Sequence, residues 1–450
     1  MIGRERLWDT LGKMVQSSPA DHTEAVFVGV ESGLTRFANN YIHQNVAETN
    51  SKTYFRVALG RKIGVAATNA FSLNSLKQAL KNALQIARNQ QENPYFKGIP
   101  GQAAYPQLDT FDEKTARFTP RQRASKLKTI FKKAANKNMA LAGSFSSGAG
   151  ELVVINTAGV TAYQPFSSAA TAVIAMTDTS SGYAQGLSRR VGDLDIRAIA
   201  TKAIDRAHRC RNPKEMKPDQ YEVVLEPAAV ASLLEWISYI GFGSKAFQEE
   251  TSFMAGKIGQ KITGDQLTIY DDATDQAGQA FPFDFEGVSK RKVELITQGV
   301  ARSVVYDSLS AAKENKASTG NALTPDASGE GGIALNLFVE GGEDSLDDLI
   351  GGVENGLLVT RFHYINGYID TPNAVLTGMT RDGLMRIKNG KLRGGVKNLR
   401  FTDSMLRAFS DIRGITAGRE LVSSWWDALG CITAPAVRLG SFKFTGKTDF

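Results

Sequence analysis

The chain has 450 residues, 42% hydrophobic and 22% charged, with 43 Gly, 13 Pro and 2 Cys. That composition suits two or three packed domains and excludes disordered, collagen-like and disulfide-framework proteins. The net charge of +7 conceals an asymmetry: residues 1–217 carry 30 Lys and Arg against 16 Asp and Glu, and the remainder carries 23 against 30.

The basic residues of the first half, among them Lys126, Lys128, Lys132, Lys133 and Lys137, are dispersed along helical segments. No interleaved aromatics and no nucleic-acid motif accompany them. Two differently solvated domains therefore explain the split, and nucleic acid is not an expected partner. No apolar run approaches the roughly 18 residues of a membrane span. The opening MIGRERLWDTLGKM alternates charged and apolar residues and lacks a signal-peptide core. A soluble cytoplasmic protein is expected, with no membrane association.

In chain order, residues 25–30 and 53–59 are β-branched and aromatic and predict strands. Ser72 or Asn74 caps a helix whose Leu76, Leu80, Ala83 and Ala87 share one face. A second helix starts at Thr119 with Pro120 in its first turn, and Leu127, Ile130, Phe131 and Ala134 form its apolar stripe. Residues 151–157 and 170–176 predict strands, and 195–209 a third helix carrying Ile196, Ile199, Ala203 and Ala207. Residues 211–220 (RNPKEMKPDQ), with two prolines and mixed charge, read as a linker.

Beyond it, 221–225 predicts a strand, and Glu226-Pro227 opens a helix running to about Ile240. Short strands follow at 291–297, 333–341, 356–361 and 384–388. Residues 318–332 (STGNALTPDASGEGG) are too polar and glycine-rich to pack as a core element. The expected fold class is α+β. An N-terminal α/β domain (1–212) is joined by a linker (213–220) to a strand-rich C-terminal domain (221–450).

Familiar catalytic patterns fail one by one. No G-x-S-x-G occurs, so a nucleophile elbow is absent. Ser125 and Lys128 satisfy S-x-x-K by chance on a charged helix. Residues 446–448 (GKT) end like a P-loop, but Ser441 stands where its first glycine belongs. The four histidines, His22, His43, His208 and His363, are too far apart to form a helical metal pair. His208 suits a helix C-terminus. His43 and His363 lie in polar-aromatic stretches where either could serve a cleft. Asp271-Asp272 reads as a turn or cap.

Residues 32–48, SGLTRFANNYIHQNVAE, resemble the N-terminal signature of the TldD/PmbA family of zinc metallopeptidases and their partner subunits. The likeness continues through 56–60 (RVALG), 63–66 (IGVA) and 151–163. In the second half, 251–260 (TSFMAGKIGQ), 356–364 (GLLVTRFHY) and 378–392 (GMTRDGLMRIKNGKL) are similar to its C-terminal pattern. The resemblance spans nearly the whole chain in the same order.

Catalytic members carry HExxxH on the helix before the segment matched by 251–260, and a C-terminal cysteine completes the zinc site. Counting from Leu233-Leu234, those positions hold Glu235, Trp236 and Ile240 here. Ile240 has no lone pair and Trp236 cannot act as a general base. Cys431, in ALGCITAP, looks like the family's cysteine ligand. One thiolate and one carboxylate do not make a three-ligand zinc site. Val230, Leu233, Leu234, Ile237 and Ile240 recur at helical spacing, so the helix reads as packed core.

The resemblance therefore implies a PmbA/TldE-type subunit without catalytic or metal-binding residues. Zinc would lie in an HExxxH-bearing TldD-type partner, in a heterodimer that degrades unfolded peptides; self-dimerisation is the other arrangement. Arg361, His363 and Tyr364, in the GLLVTRFHY segment, are candidate cleft residues. Two alternatives stay open. One is a metal-independent hydrolase using Glu235, His363 or Cys431; the other is a DNA- or gyrase-modulating regulatory module.

Overall fold

The computed structural model describes residues 1–424 and 429–448. Its first half is built on a six-stranded, wholly antiparallel sheet of order β3-β2-β1-β4-β5-β6. These strands are β1 (His22–Ala38), β2 (Tyr41–Leu59), β3 (Lys62–Thr68), β4 (Ala140–Asn156), β5 (Thr161–Met176) and β6 (Ser181–Ser188). With helices packed on an antiparallel sheet, the fold class is α+β, as expected.

Several strands run far beyond the predicted segments. β1 and β2 continue as a long ribbon to a two-residue turn at Asn39-Asn40, whose φ angles of 50° and 63° suit asparagine. Much of that ribbon is polar and exposed, so backbone pairing extends it where apolar alternation gives no signal.

The three predicted helices form with the caps the sequence supplies. Ser72 caps Leu73–Asn89, and Asp195 caps Ile196–Arg209. Thr119 and Gln122 make a reciprocal capping box before Pro120–Ala135. Leu76, Leu80, Ala83 and Ala87 pack onto Phe27, Phe55 and Val57 of the sheet. Leu127, Ile130 and Ala134 pack with Phe145, Val173 and Ile204. Two helices press directly on sheet backbone. A Cβ at Gly64 would lie 2.1 Å from Ala83 O, and one at Gly182 would lie 2.3 Å from Ala203 O. Helix Arg4–Gln16 was not predicted; it buries Leu7, Leu11, Met14 and Val15 against the same sheet.

The second half is a thirteen-stranded mixed sheet centred on the long strand Cys431–Lys447. That strand pairs parallel with Asn336–Val339 and antiparallel with Gln220–Leu225, Ile412–Ser423 and Leu399–Ser404. Its core gathers Val223, Leu225, Leu233, Leu234, Phe401 and Val437 around helix Pro227–Ile237. Among the described residues, no helix is long and apolar enough to cross a membrane.

Two expectations need correction. The α-helix stops at Ile237 and continues as a π-turn over Ser238–Phe242, which contains Ile240. There Ser238 Oγ donates to Ala334 O at 2.8 Å, and a Cβ at Gly241 would fall 1.9 Å from Phe253. The second concerns residues 318–332, of which Thr319, Gly320, Asn321 and Ala322 are buried. Asn321 Nδ2 donates to Asp271 Oδ2 at 2.7 Å, and Ala322 N–H donates to Asp284 Oδ2 at 2.9 Å. Two buried carboxylates need donors, and this polar segment supplies them.

The halves are tied by more than the connection at 211–219. Residues 90–112 connect two helices without strand or helix, apart from a turn at residues 94–95, and place Tyr105 Oη 2.7 Å from Gly287 O. Arg206 pairs with the buried Glu226 at the start of helix Pro227–Ile237. Glu226 stands at that helix's N-cap yet makes no side-chain cap.

Candidate functional site

Helix Pro227–Ile237 has Pro227 in its first turn and is buried on nearly all sides, as its all-round apolar sequence demands. Strand Arg361–Asp370 packs across it and pairs with Val375–Arg381. Between them lies a cleft of about 480 Å³. Its walls include Glu235 and Trp236 of the helix and Arg361, His363 and Tyr364 of the strand. Five residues singled out from the sequence thus meet in one place.

Each has a defined setting. Glu235 is 8% exposed and its Oε1 accepts Ser424 Oγ–H at 2.5 Å. Trp236 stands edge-on to Tyr368, with ring centroids 5.6 Å apart. Close approach of strand and helix requires Gly367, where a Cβ would lie 2.9 Å from Trp236 Cε3. Arg361 Nε donates to Asp382 Oδ2 at 2.9 Å, and its guanidinium lies 4.2 Å from the Tyr183 ring centroid. Burial, followed by the charges of Arg381 and Arg361, pushes the His363 imidazole below its usual pKa. Tyr364 is 77% exposed and adopts φ of 50° at an irregularity in the strand.

Two predicted positions stand apart. Ile240, in the π-turn, is buried against Gly367 and does not line the cleft. Cys431 also lies outside the lining, where its neighbour Ile432 takes part. Cys431 Sγ accepts Gln279 N–H at 3.2 Å and lies 3.5 Å from Asn336 Oδ1. Burial pushes its thiol up to about 12, which is the setting of a protonated thiol rather than of an activated nucleophile. Successive strand residues face opposite sides, and here the odd position turns away.

The first half contributes two side chains that sequence reasoning missed, Tyr183 and Gln185 of β6. Tyr183 Oη donates to Gln185 Oε1 at 3.0 Å, while Gln185 Nε2 is buried with no hydrogen-bond partner. Nothing local in SGYAQGLS marks them; only the packing of the halves brings them to the cleft.

The donor set does not fit the family's zinc. Among the described residues, no three His, Cys, Asp or Glu side chains converge to hold a metal. At the motif positions one carboxylate is hydrogen-bonded to a serine, one side chain is an indole and one is a hydrocarbon. Ser232, also at the cleft, donates back to Ala228 O at 2.7 Å. The described lining offers shape and hydrogen-bonding side chains.

Residues 218–446 match the family model described as the PmbA/TldA metallopeptidase C-terminal domain, and residues 23–87 match PmbA/TldA metallopeptidase domain 1. An uncharacterized protein of Methanocaldococcus jannaschii is 28% identical over 336 residues, covering 74% of this chain and 76% of that protein. A protein of Buchnera aphidicola named metalloprotease TldD homolog is 28% identical over 202 residues, 44% of this chain and 41% of that one. Among solved structures, TldE from Thermococcus kodakarensis superposes with a TM-score of 0.87 at 20% identity, covering 97% of this chain and all of that one. A Thermotoga maritima protein described as a modulator of a DNA gyrase gives 0.85 at 18% identity, covering 98% and 100%. These structural likenesses establish the fold.

Proposed function

The chain belongs to the TldD/PmbA family of metallopeptidases, and on that premise we propose that it is a non-catalytic, PmbA/TldE-type subunit. Its partner in this reading is an HExxxH-bearing homologue that holds the zinc, and the pair degrades unfolded peptides. The observation that carries the reading is the filling of the motif positions. Trp236 and Ile240 are packed against Gly367 where a metal would need lone pairs and space.

The backbone supports it further. Residues five apart diverge by about 140° on an α-helix, but an i→i+5 turn brings them toward one side. The HExxxH spacing places its histidines five apart, and a π-turn begins within that span here. An i→i+5 turn accommodates that spacing, although Ile240 itself lies outside the cleft lining.

An extended ligand also has a place to lie. Strand Arg361–Asp370 pairs with Val375–Arg381 on one edge, and no described strand covers the other. Strand addition at such an edge holds a backbone without reading its sequence. Both cysteines are free and buried, which fits a reducing compartment, and we assign the protein to the cytoplasm. A metal-independent hydrolase has less support, because Cys431 is bonded at Asn336 rather than beside His363 and Glu235.

The test is co-purification with the HExxxH homologue, followed by peptide cleavage with each chain alone, with both mixed, and with a chelator. Cleavage by the mixture and none by this chain is expected. Equal activity of the partner with and without this chain would sink the reading.

A further inference from the structure

Gln185, one of the residues lining the cleft, carries a buried hydrogen-bond donor that the fold leaves unused. Gln185 Oε1 accepts the Tyr183 hydroxyl, which orients the amide, while Gln185 Nε2 is buried without an acceptor. Buried polar groups are normally satisfied, and an orphan amide donor is costly to keep. Its neighbours are occupied: Arg361 by Asp382, Ser232 by Ala228 O and Glu235 by Ser424.

We propose that Gln185 is a positioning residue that donates through Nε2 to a backbone carbonyl of an extended polypeptide lying in this cleft. The proposal rests on the peptidase-subunit reading for its ligand class and adds the atom that holds the ligand. It also makes the site a joint product of both halves, since Gln185 belongs to β6 and the opposing wall to the second half.

The chemistry of the lining selects that ligand. The cleft's guanidinium is already neutralised by Asp382, so no unpaired Arg or Lys of the lining awaits an anion. Phosphate and free carboxylate ligands are therefore poorly matched, and a neutral carbonyl is well matched to a neutral amide donor. Ala228, Ala231, Phe362, Ile365, Val422 and Ile432 supply apolar wall for side chains of mixed type. An extended chain offers carbonyls alternately to its two sides, and residues 361–365 of strand Arg361–Asp370, one edge of which pairs with no described strand, line the same cleft.

The sharp variant is Gln185→Glu. It keeps the acceptor for Tyr183 and the side-chain size but replaces the donor with a carboxylate oxygen. The probe is a fluorescently labelled, N-acetylated and C-amidated unstructured peptide, titrated into the full chain by anisotropy at neutral pH. Saturable binding by the wild type and at least about tenfold weaker binding by Gln185→Glu are expected, read at a temperature where both chains are folded by circular dichroism. In the mixed pair the same variant should raise KM and leave kcat alone. Gln185→Leu, which also lacks the donor, is carried in parallel in case the charged variant does not fold. Wild-type affinity in either folded variant overturns the proposal, as does a wild type that binds no peptide. Cleavage by the mixed pair with KM unmoved would leave the subunit reading standing and remove Gln185. Donor-dependent binding without cleavage would do the reverse.

Discussion

Arg56 Nη1 lies 2.6 Å from Glu286 Oε1, joining β2 of the first half to the second half by an ion pair hidden from solvent. Its Nη2 is 3.0 Å from Glu24 Oε1 on β1, so one guanidinium serves two buried carboxylates. Asp284 and Asp307 add their fields to the same cluster. Carboxyls thus outnumber the cation, and some of them keep their protons. Burial pushes Glu24 up to about 7, and burial with the charge of Glu286 does the same to Asp284.

This cluster gives stability a pH dependence of defined sign. Glu24 and Asp284 titrate above their ordinary values of 4.5 and 3.8. Their contribution is complete below those values and is lost as pH rises through 7. Glu24→Gln should therefore gain on the wild type between pH 5 and pH 8, read as the difference in urea midpoints. A difference that does not change with pH would refute the assignment.

Removing the cation is the harsher test. Arg56→Met leaves Glu286 and Glu24 buried without their shared partner, which costs about 3–5 kcal/mol in comparable sites. Equilibrium unfolding should show that loss, and adding Glu24→Gln should recover part of it. Strict additivity of the two changes would mean that they do not share the guanidinium.

What the sequence made legible was what is local. Ser72, Thr119-Pro120 and Asp195 announce helices because caps and apolar stripes act within a few residues. The outer β1–β2 ribbon was not legible, because pairing between distant strands extends it. The side chains at the positions the resemblance gives to the zinc motif, Glu235, Trp236 and Ile240, could be read directly. The facing of Cys431 could not, since one residue of strand register decides which side it takes. Nor could Tyr183 and Gln185, which reach the cleft only when two sheets dock.

Gly367→Ala probes how tightly the strand is seated on the helix. Its Cβ would meet Leu376 Cδ2 at 2.8 Å and Trp236 Cε3 at 2.9 Å. Overpacking of this kind costs about 1–3 kcal/mol. Trp236→Phe in the same chain should relieve part of it, so the two changes should be non-additive in urea unfolding. A neutral Gly367→Ala would show that the strand shifts freely.

Limited digestion with a broad-specificity protease such as proteinase K should nick the chain first between Arg211 and Lys217. This stretch is mostly exposed and contributes no helix or sheet strand. Residues 319–322 are buried, so the second loop should resist until its exposed 326–330 part opens. Early cleavage within Pro227–Ile237, identified by mass spectrometry, would contradict the buried helix.

The last prediction concerns the metal site that the non-catalytic reading takes to be missing. Glu235→His, Trp236→Glu and Ile240→His together rewrite the motif across the π-turn at Ser238–Phe242. Two obstacles remain. The side chain at 240 is buried against Gly367 outside the cleft, and Cys431 Sγ is engaged with Gln279 and Asn336 as a protonated thiol. Catalytic zinc needs three protein ligands with oriented supporting groups, and supporting groups alone change affinity by 10–100-fold. The triple variant should therefore hold well under one zinc per chain after dialysis and cleave no peptide by itself. Elemental analysis and a peptide assay with a chelator control decide it. Stoichiometric zinc that is lost on Cys431→Ser would show that the strand can turn its thiol into the site. If the wild-type chain itself held such zinc, the non-catalytic reading would fail.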